Sequence, residues 1–152
     1  MKVYIVGMGP GHPDFLTIQG KRAVEESRVI LGDRRMTEAF SSLGKNIIST
    51  YKPSEIRRVL ASMEDGDGPV VVSGDVGFFS LGRLLTDIPG CTVISCPGIS
   101  SLAYFAAKVR TPWHDAYCVS RHGRRESVAA AVYGHQKVFC LTGGSDTVSL
   151  IC

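Results

Sequence analysis

Val3-Tyr4-Ile5-Val6-Gly7-Met8-Gly9-Pro10-Gly11 decides the fold of this chain. Its first four residues form a short β-branched and aromatic run, the signature of a buried strand. A glycine-rich turn follows at once. The same arrangement returns twice. Val70-Val71-Val72 leads into Ser73-Gly74-Asp75-Val76-Gly77, and Thr92-Val93-Ile94 precedes Pro97-Gly98-Ile99-Ser100-Ser101. A parallel sheet sets such turns side by side at the carboxyl ends of its strands, where small ligands bind. One such turn says little. Three in one context point to a cleft for a small molecule.

Working outward from these turns, strands and helices alternate. Thr17 is placed to cap a helix running to about Ser27, with Ile18, Ala23 and Val24 inward and Gly20 as a weak point. Residues 29–31 read as a strand closed by Gly32-Asp33, residues 37–43 as a short helix and 46–49 as a strand. Ile56, Val59, Leu60 and Met63 form an amphipathic stripe on a helix opened by Pro53 and stopped by Asp65-Gly66-Asp67-Gly68-Pro69. Residues 78–85 suit a helix. Residues 100–109 suit another, with Leu102, Phe105, Ala106 and Val109 inward. Beyond Thr111-Pro112-Trp113 come a strand at 117–120, a helix at 126–133, a strand at 137–141 and the start of a helix after the 143–146 turn. The alternation predicts an α/β fold with a mostly parallel sheet. A domain boundary is expected at 112/113, giving an amino-terminal α/β domain over 1–112. The two strands and scant helix of 113–152 read as the start of a second α/β domain, truncated here.

The chain has 152 residues, 44% hydrophobic and 20% charged, the balance of a soluble globular protein. No apolar run approaches a membrane span. Met1-Lys2 is followed at once by the first strand, so no signal peptide is visible. Cys91, Cys96, Cys118, Cys140 and Cys152 are odd in number and lack CxxC spacing, so reduced, mostly buried thiols in a cytoplasmic protein are expected and no metal site. A net charge of +3 does not argue for nucleic acid. Arg121, His122, Arg124 and Arg125 cluster, and Arg34-Arg35 form a second basic spot. Each is either a contact for an anionic partner or a solvated surface.

Gly7-x-Gly9 after a strand, with Asp33 ending the next strand, suggests a dinucleotide fold. Two residues argue against it. His12 stands where the third glycine belongs, and Pro10 removes a backbone N–H where a pyrophosphate needs donors. No Gly-Lys-Ser/Thr follows either, so a phosphate-binding loop fails. A ligand without phosphates fits better, and S-adenosylmethionine is one. Ser73, Ser100 and Ser101 supply hydroxyls, Phe78 an apolar wall, and Gly74 and Gly98 close approach. Asp75 either faces the cationic end of that ligand or caps its own turn.

Residues 3–17, 73–79 and Cys96-Pro97-Gly98-Ile99-Ser100-Ser101, with Gly32-Asp33-Arg34-Arg35 between them, resemble the tetrapyrrole (corrin/porphyrin) methylase family in order and spacing. Pro97-Gly98-Ile99-Ser100-Ser101-Leu102, Pro112-Trp113-His114-Asp115 and Ser120-Arg121-His122-Gly123-Arg124 resemble its branch that methylates C5 of a precorrin in cobalamin synthesis. The resemblance implies a homodimeric, two-domain methyltransferase using S-adenosylmethionine on a corrinoid, with a separate C15-methylating decarboxylase as pathway partner and neither nucleic acid nor membrane involved. By position it assigns Pro10, Ser73, Gly74, Asp75, Phe78, Ser100, Ser101 and Leu141 to the cofactor. Asp75 is the candidate catalytic residue, and Arg121, His122 and Arg124 are candidates for the substrate carboxylates; His122 reads alternatively as a general base or a turn residue. Gly20, Val76 and Arg121 depart from the family's usual residues. The alternatives are a same-fold methylase acting on another tetrapyrrole carbon, a non-catalytic nucleotide-binding module, or a fragment that self-associates.

Overall fold

The computed structural model describes residues 1–66, 68–122, 126–143 and 148–151. The chain divides into two compact units, Met1–Tyr104 and Phe105–Cys152. In the first, strands β1 (Lys2–Gly7), β2 (Val29–Gly32), β3 (Asn46–Ser49), β4 (Val70–Ser73) and β5 (Thr92–Cys96) alternate with helices α1 (Ile18–Glu26), α2 (Arg34–Thr37) and α3 (Pro53–Ala61). The sheet order is β3-β2-β4-β1-β5, and every pairing is parallel. The side-chain period of two sends alternate residues to opposite faces. Val6, Ile30, Val70 and Val72 pack with Ala23 and Val24 of α1 on one face. Val3, Ile5, Leu31 and Val71 pack with Ile56 and Leu60 of α3 on the other. Both faces are covered, which is why β4 opens with three consecutive valines and is buried along its whole length. Each fully buried valine or isoleucine contributes about 1.5–3 kcal/mol, so these two layers hold the sheet.

The register sets the strand tips level. Gly7 is paired with Ser73, and Val6 with Cys96, so β1, β4 and β5 end side by side. The order of the strands also reverses here: the chain steps from β1 to β2 and β3 on one side, then returns through β4 to β5 on the other.

Several local expectations are corrected. Ile18 is 73% exposed instead of inward. A Cβ on Gly20 would lie 2.9 Å from Val6 Cγ1, so α1 seats its glycine against β1 and turns Gly20, Ala23 and Val24 inward. Gly20 is thus a contact, not merely a weak point. Residues 78–85 form a turn and a short 3-10 helix, Leu81–Leu84, instead of an α-helix. Gly82 is wedged there, its Cβ position 3.1 Å from Ile5 Cγ2 and 3.3 Å from Val76 Cα, and Phe79 adopts a left-handed φ of 49°. The short helix expected at 37–43 begins earlier, as α2, and continues as a 3-10 helix over Glu38–Leu43. Helix α4 (Ser101–Lys108) buries Leu102 and Ala106, while Phe105 and Val109 are exposed. Of the described cysteines only Cys96 is buried; Cys91, Cys118 and Cys140 are half-buried.

In the second unit, β6 (Tyr117–Ser120) and β7 (Val138–Leu141) pair in parallel across helix α5 (Val128–Gly134), and α6 (Val148–Ile151) follows. Lys137 Nζ donates to Asp115 Oδ1 at 2.7 Å and to the Pro112 carbonyl at 2.8 Å. Tyr117 stacks on His135 with ring centroids 3.9 Å apart, and Phe105 meets Phe139 at 6.1 Å. Among the described residues no helix is long and apolar enough to cross a membrane.

Candidate functional site

The three turns interlock at the tips of β1, β4 and β5. A Cβ on Gly7 would lie 2.6 Å from Gly98 Cα and 3.1 Å from the Gly74 carbonyl oxygen. A Cβ on Gly98 would lie 2.7 Å from the Gly7 carbonyl. Only glycine admits this approach of one backbone to another. Hydrogen bonds tie the same turns: Met8 N–H donates to the Ser73 carbonyl at 2.7 Å, and Thr17 Oγ1 to the Pro97 carbonyl at 3.2 Å.

Gly74 differs from its two neighbours. A Cβ there would meet nothing within 4 Å, so its open side is space that a ligand can enter. Around it stand several of the expected residues. Ser73 is 7% exposed, and its hydroxyl pairs with Ser80 Oγ at 2.6 Å. Asp75 Oδ1 accepts from Gly77 N–H at 2.7 Å, so one carboxylate oxygen caps its own turn. Phe78 is half-buried and packs edge-on against Phe79, with centroids 4.9 Å apart. Ser100 Oγ accepts from Ala103 N–H at 3.1 Å, capping α4, and Ser101 opens that helix. Pro10 is exposed in the first turn. The first unit therefore brings Pro10, Ser73, Gly74, Asp75, Phe78, Ser100 and Ser101 to one end of the sheet.

The remaining expected residues belong to the second unit. Leu141 ends β7, and its carbonyl accepts from Arg121 N–H at 2.8 Å. Arg121 Nη1 donates to the Glu126 carbonyl at 3.2 Å, and His122 N–H to Ser120 Oγ at 3.2 Å. A Cβ on Gly143 would come within 3.0 Å of His122 Cγ, so the glycine leaves room for the imidazole. Arg121, His122 and Leu141 thus meet where β6 and β7 end. Arg124 and Arg125 lie outside the described residues.

Sequence reasoning missed Ser80, whose hydroxyl pairs with Ser73 and accepts from Gly82 N–H at 3.1 Å. Its signal was a serine directly before the helical Leu81–Leu84 stretch, read instead as mid-helix. It also missed Tyr104, which meets Phe15 edge-on at 5.0 Å beneath the first turn. A solvent-open cavity of about 310 Å³, bordered by Lys2, Tyr4, Glu26 and Ser27, lies at the opposite end of the strands and shares no residue with the turns.

Burial raises the Cys96 thiol above its ordinary range, which keeps it protonated beneath the third turn. It packs as a small apolar group in the core beside Val6 and Val72.

The family model of Tetrapyrrole (Corrin/Porphyrin) Methylases matches residues 2–151. A probable cobalt-precorrin-7 C(5)-methyltransferase of Methanocaldococcus jannaschii is 28% identical, over 91% of this chain and 70% of its own length. Among solved structures, the precorrin-6Y methylase of cobalamin biosynthesis (cbiE) from Archaeoglobus fulgidus is similar with a TM-score of 0.63 at 26% identity. The match covers 81% of this chain and 66% of that one. A uroporphyrin-III C-methyltransferase from Thermus thermophilus, complexed with S-adenyl homocysteine, is similar with a TM-score of 0.60 at 27% identity, covering 80% of this chain and 60% of that one. The chain thus spans about two thirds or less of the length of these solved relatives. With three glycine turns locked together at the tips of a parallel sheet, and a family match running from one end of the sequence nearly to the other, this chain belongs to the tetrapyrrole (corrin/porphyrin) methylases.

Proposed function

We propose that the chain is an S-adenosylmethionine-dependent C-methyltransferase acting at C5 of a (cobalt-)precorrin in cobalamin (vitamin B12) biosynthesis. The observation that carries this reading is the interlock of Gly7, Gly74 and Gly98, with an open side left only at Gly74. The residues there fit the donor. Pro10 withholds an N–H that a pyrophosphate would want, while Ser73, Ser100 and Ser101 bring hydroxyls and Phe78 an apolar ring. S-adenosylmethionine, when bound, supplies a methyl group on a sulfonium that is its own leaving group. The protein then needs neither a covalent intermediate nor a strong base. Its task is alignment and exclusion of water.

In this reading Ser73, Gly74, Asp75, Phe78, Ser100 and Ser101 hold the donor, with Pro10 and Leu141 as further contacts. Asp75 keeps one oxygen on Gly77 N–H and offers the other to the site. Arg121, His122 and Arg124 take substrate carboxylates, since guanidinium matches carboxylate in a bidentate way. The C5 assignment follows the Methanocaldococcus relative. The reading also includes a homodimer, a cytoplasmic location and a separate C15-methylating decarboxylase as pathway partner.

Mass spectrometry of a corrinoid incubated with S-adenosylmethionine and this chain tests the proposal. The expected product has one hydrogen replaced by methyl at C5 and keeps its carboxyl groups. An unchanged corrinoid overturns it. The similarity to the Thermus thermophilus protein favours a second reading, methylation of uroporphyrinogen or another tetrapyrrole carbon. The same assay run on a panel of tetrapyrroles separates the two by the position of the new methyl group.

A further inference from the structure

The basic pair Arg34-Arg35 is not used by the function as proposed so far. It lies just past the tip of β2, the strand next to β4 in the sheet. Gly32, which ends β2, accepts at its carbonyl from Thr50 N–H at 2.8 Å, so α2 starts level with the tip of β3 as well. Met36, directly after Arg35, is buried with its sulfur 3.8 Å from where a Cβ on Gly11 would sit. The short helix is therefore packed against the first glycine turn, on the end of the sheet that carries the site.

Neighbouring cations at this end are already engaged: Arg34 Nε donates to Glu38 at 2.8 Å, and Lys52 faces Glu55 at 3.2 Å. Arg35 is different. Its backbone N–H is held by Asp33 Oδ1 at 2.9 Å, yet its guanidinium is exposed and has no partner among the described residues. The backbone of Arg35 is thus fixed by a cap and by its buried neighbour, while its charge is free. An unpaired guanidinium on a fixed backbone beside a binding site suits a planar anion.

We propose that Arg35 binds a peripheral carboxylate of the tetrapyrrole, at the β2 side of the site. This rests on the methylase reading above. It makes Arg35 a positioning residue that sets which edge of the macrocycle faces the turns, and it favours substrates whose side chains are free acids over amidated ones.

The test compares two corrinoids by equilibrium dialysis: cobyrinic acid, with free side-chain carboxylates, and cobinamide, in which they are amides. Arg35→Ala is expected to weaken cobyrinic acid binding about tenfold, the loss typical of one charge-assisted hydrogen bond. Binding of cobinamide and of S-adenosylmethionine changes by less than about twofold. Arg35→Lys falls between, because it keeps the charge and loses the fork. Arg28→Ala, the same charge change at the other end of β2, leaves all three affinities unchanged. Unaltered cobyrinic acid binding in Arg35→Ala, or equal loss for both corrinoids, overturns the proposal alone. A wild-type chain that binds neither corrinoid overturns the methylase reading with it.

Discussion

Replacing Gly98 with alanine presses a methyl group against the backbone at the tip of β1. The new Cβ would stand 2.7 Å from both the carbonyl carbon and oxygen of Gly7, and 2.8 Å from Gly7 Cα. These atoms are backbone and cannot rotate aside. To reach an ordinary 3.4 Å contact, the tip of β1 and the turn after β5 must part by about 0.7 Å. β1 is also paired with β4 on its other side, so the shift strains two strand pairings. Overpacking of this kind costs about 1–3 kcal/mol, and the rigid partner places Gly98→Ala at the upper end, about 2–3 kcal/mol. That is a large fraction of the stability of an ordinary domain. Urea unfolding followed by circular dichroism should show a lower midpoint with an unchanged slope, and the thermal midpoint should fall by about 5–10 °C. Gly74→Ala is the matched control, because its Cβ meets nothing within 4 Å and its φ is not left-handed. Its stability should stay within about 0.5 kcal/mol of wild type. A Gly98→Ala variant as stable as Gly74→Ala would refute the close approach of the turns.

Other expectations follow from single features. Arg110 sits at a left-handed φ of 54° after α4, where Thr111 N–H bonds the Ala106 carbonyl and Arg110 N–H the Ala107 carbonyl. This is the geometry that glycine prefers, so Arg110→Gly should raise stability by about 1 kcal/mol in urea unfolding; a loss would contradict the cap. The hydrogen bond from Lys137 holds the Asp115 carboxyl below its ordinary 3.8. A depressed carboxyl stabilises the fold above its unfolded value and loses that contribution as pH falls through the folded one. Wild type should therefore exceed Asp115→Asn in stability near neutral pH, and the gap should close as pH falls below the ordinary carboxylate range; a constant gap would remove the ion pair as the cause. Cys96 is fully buried with its thiol pushed up, whereas Cys91 is half-buried. Iodoacetamide at about pH 8 should label Cys91 well before Cys96, read by peptide mass mapping; equal rates would contradict the core position.

The sheet was legible in the sequence because its strands are short β-branched runs that end in turns, and burial on both faces leaves no polar alternation to confuse them. The gathering of Pro10, Asp75 and Ser100 at one end was legible for the same reason: parallel strands aim all their carboxyl ends one way. What failed depended on contacts that no local pattern contains. The rotation of α1 is set by Gly20 against Val6, so Ile18 faces water although it is apolar. The inner stripe of α4 narrows to Leu102 and Ala106, because Phe105 finds Phe139 on another element. The stretch after β4 has apolar residues at helical spacing, yet Gly82 is pinned against Ile5 and Val76, and only a 3-10 turn fits there. The free guanidinium of Arg35 emerges only when the pairings around it are known.

Titration calorimetry of this chain with S-adenosylmethionine and with NAD, in wild type and in Gly74→Ala, decides whether the turns hold a methyl donor. Wild type should bind the sulfonium ligand and not the dinucleotide. The alanine at 74, harmless to folding, should weaken that binding at least about tenfold by filling the open side of the turn. Preference for NAD, or equal affinity in the two proteins, would contradict it.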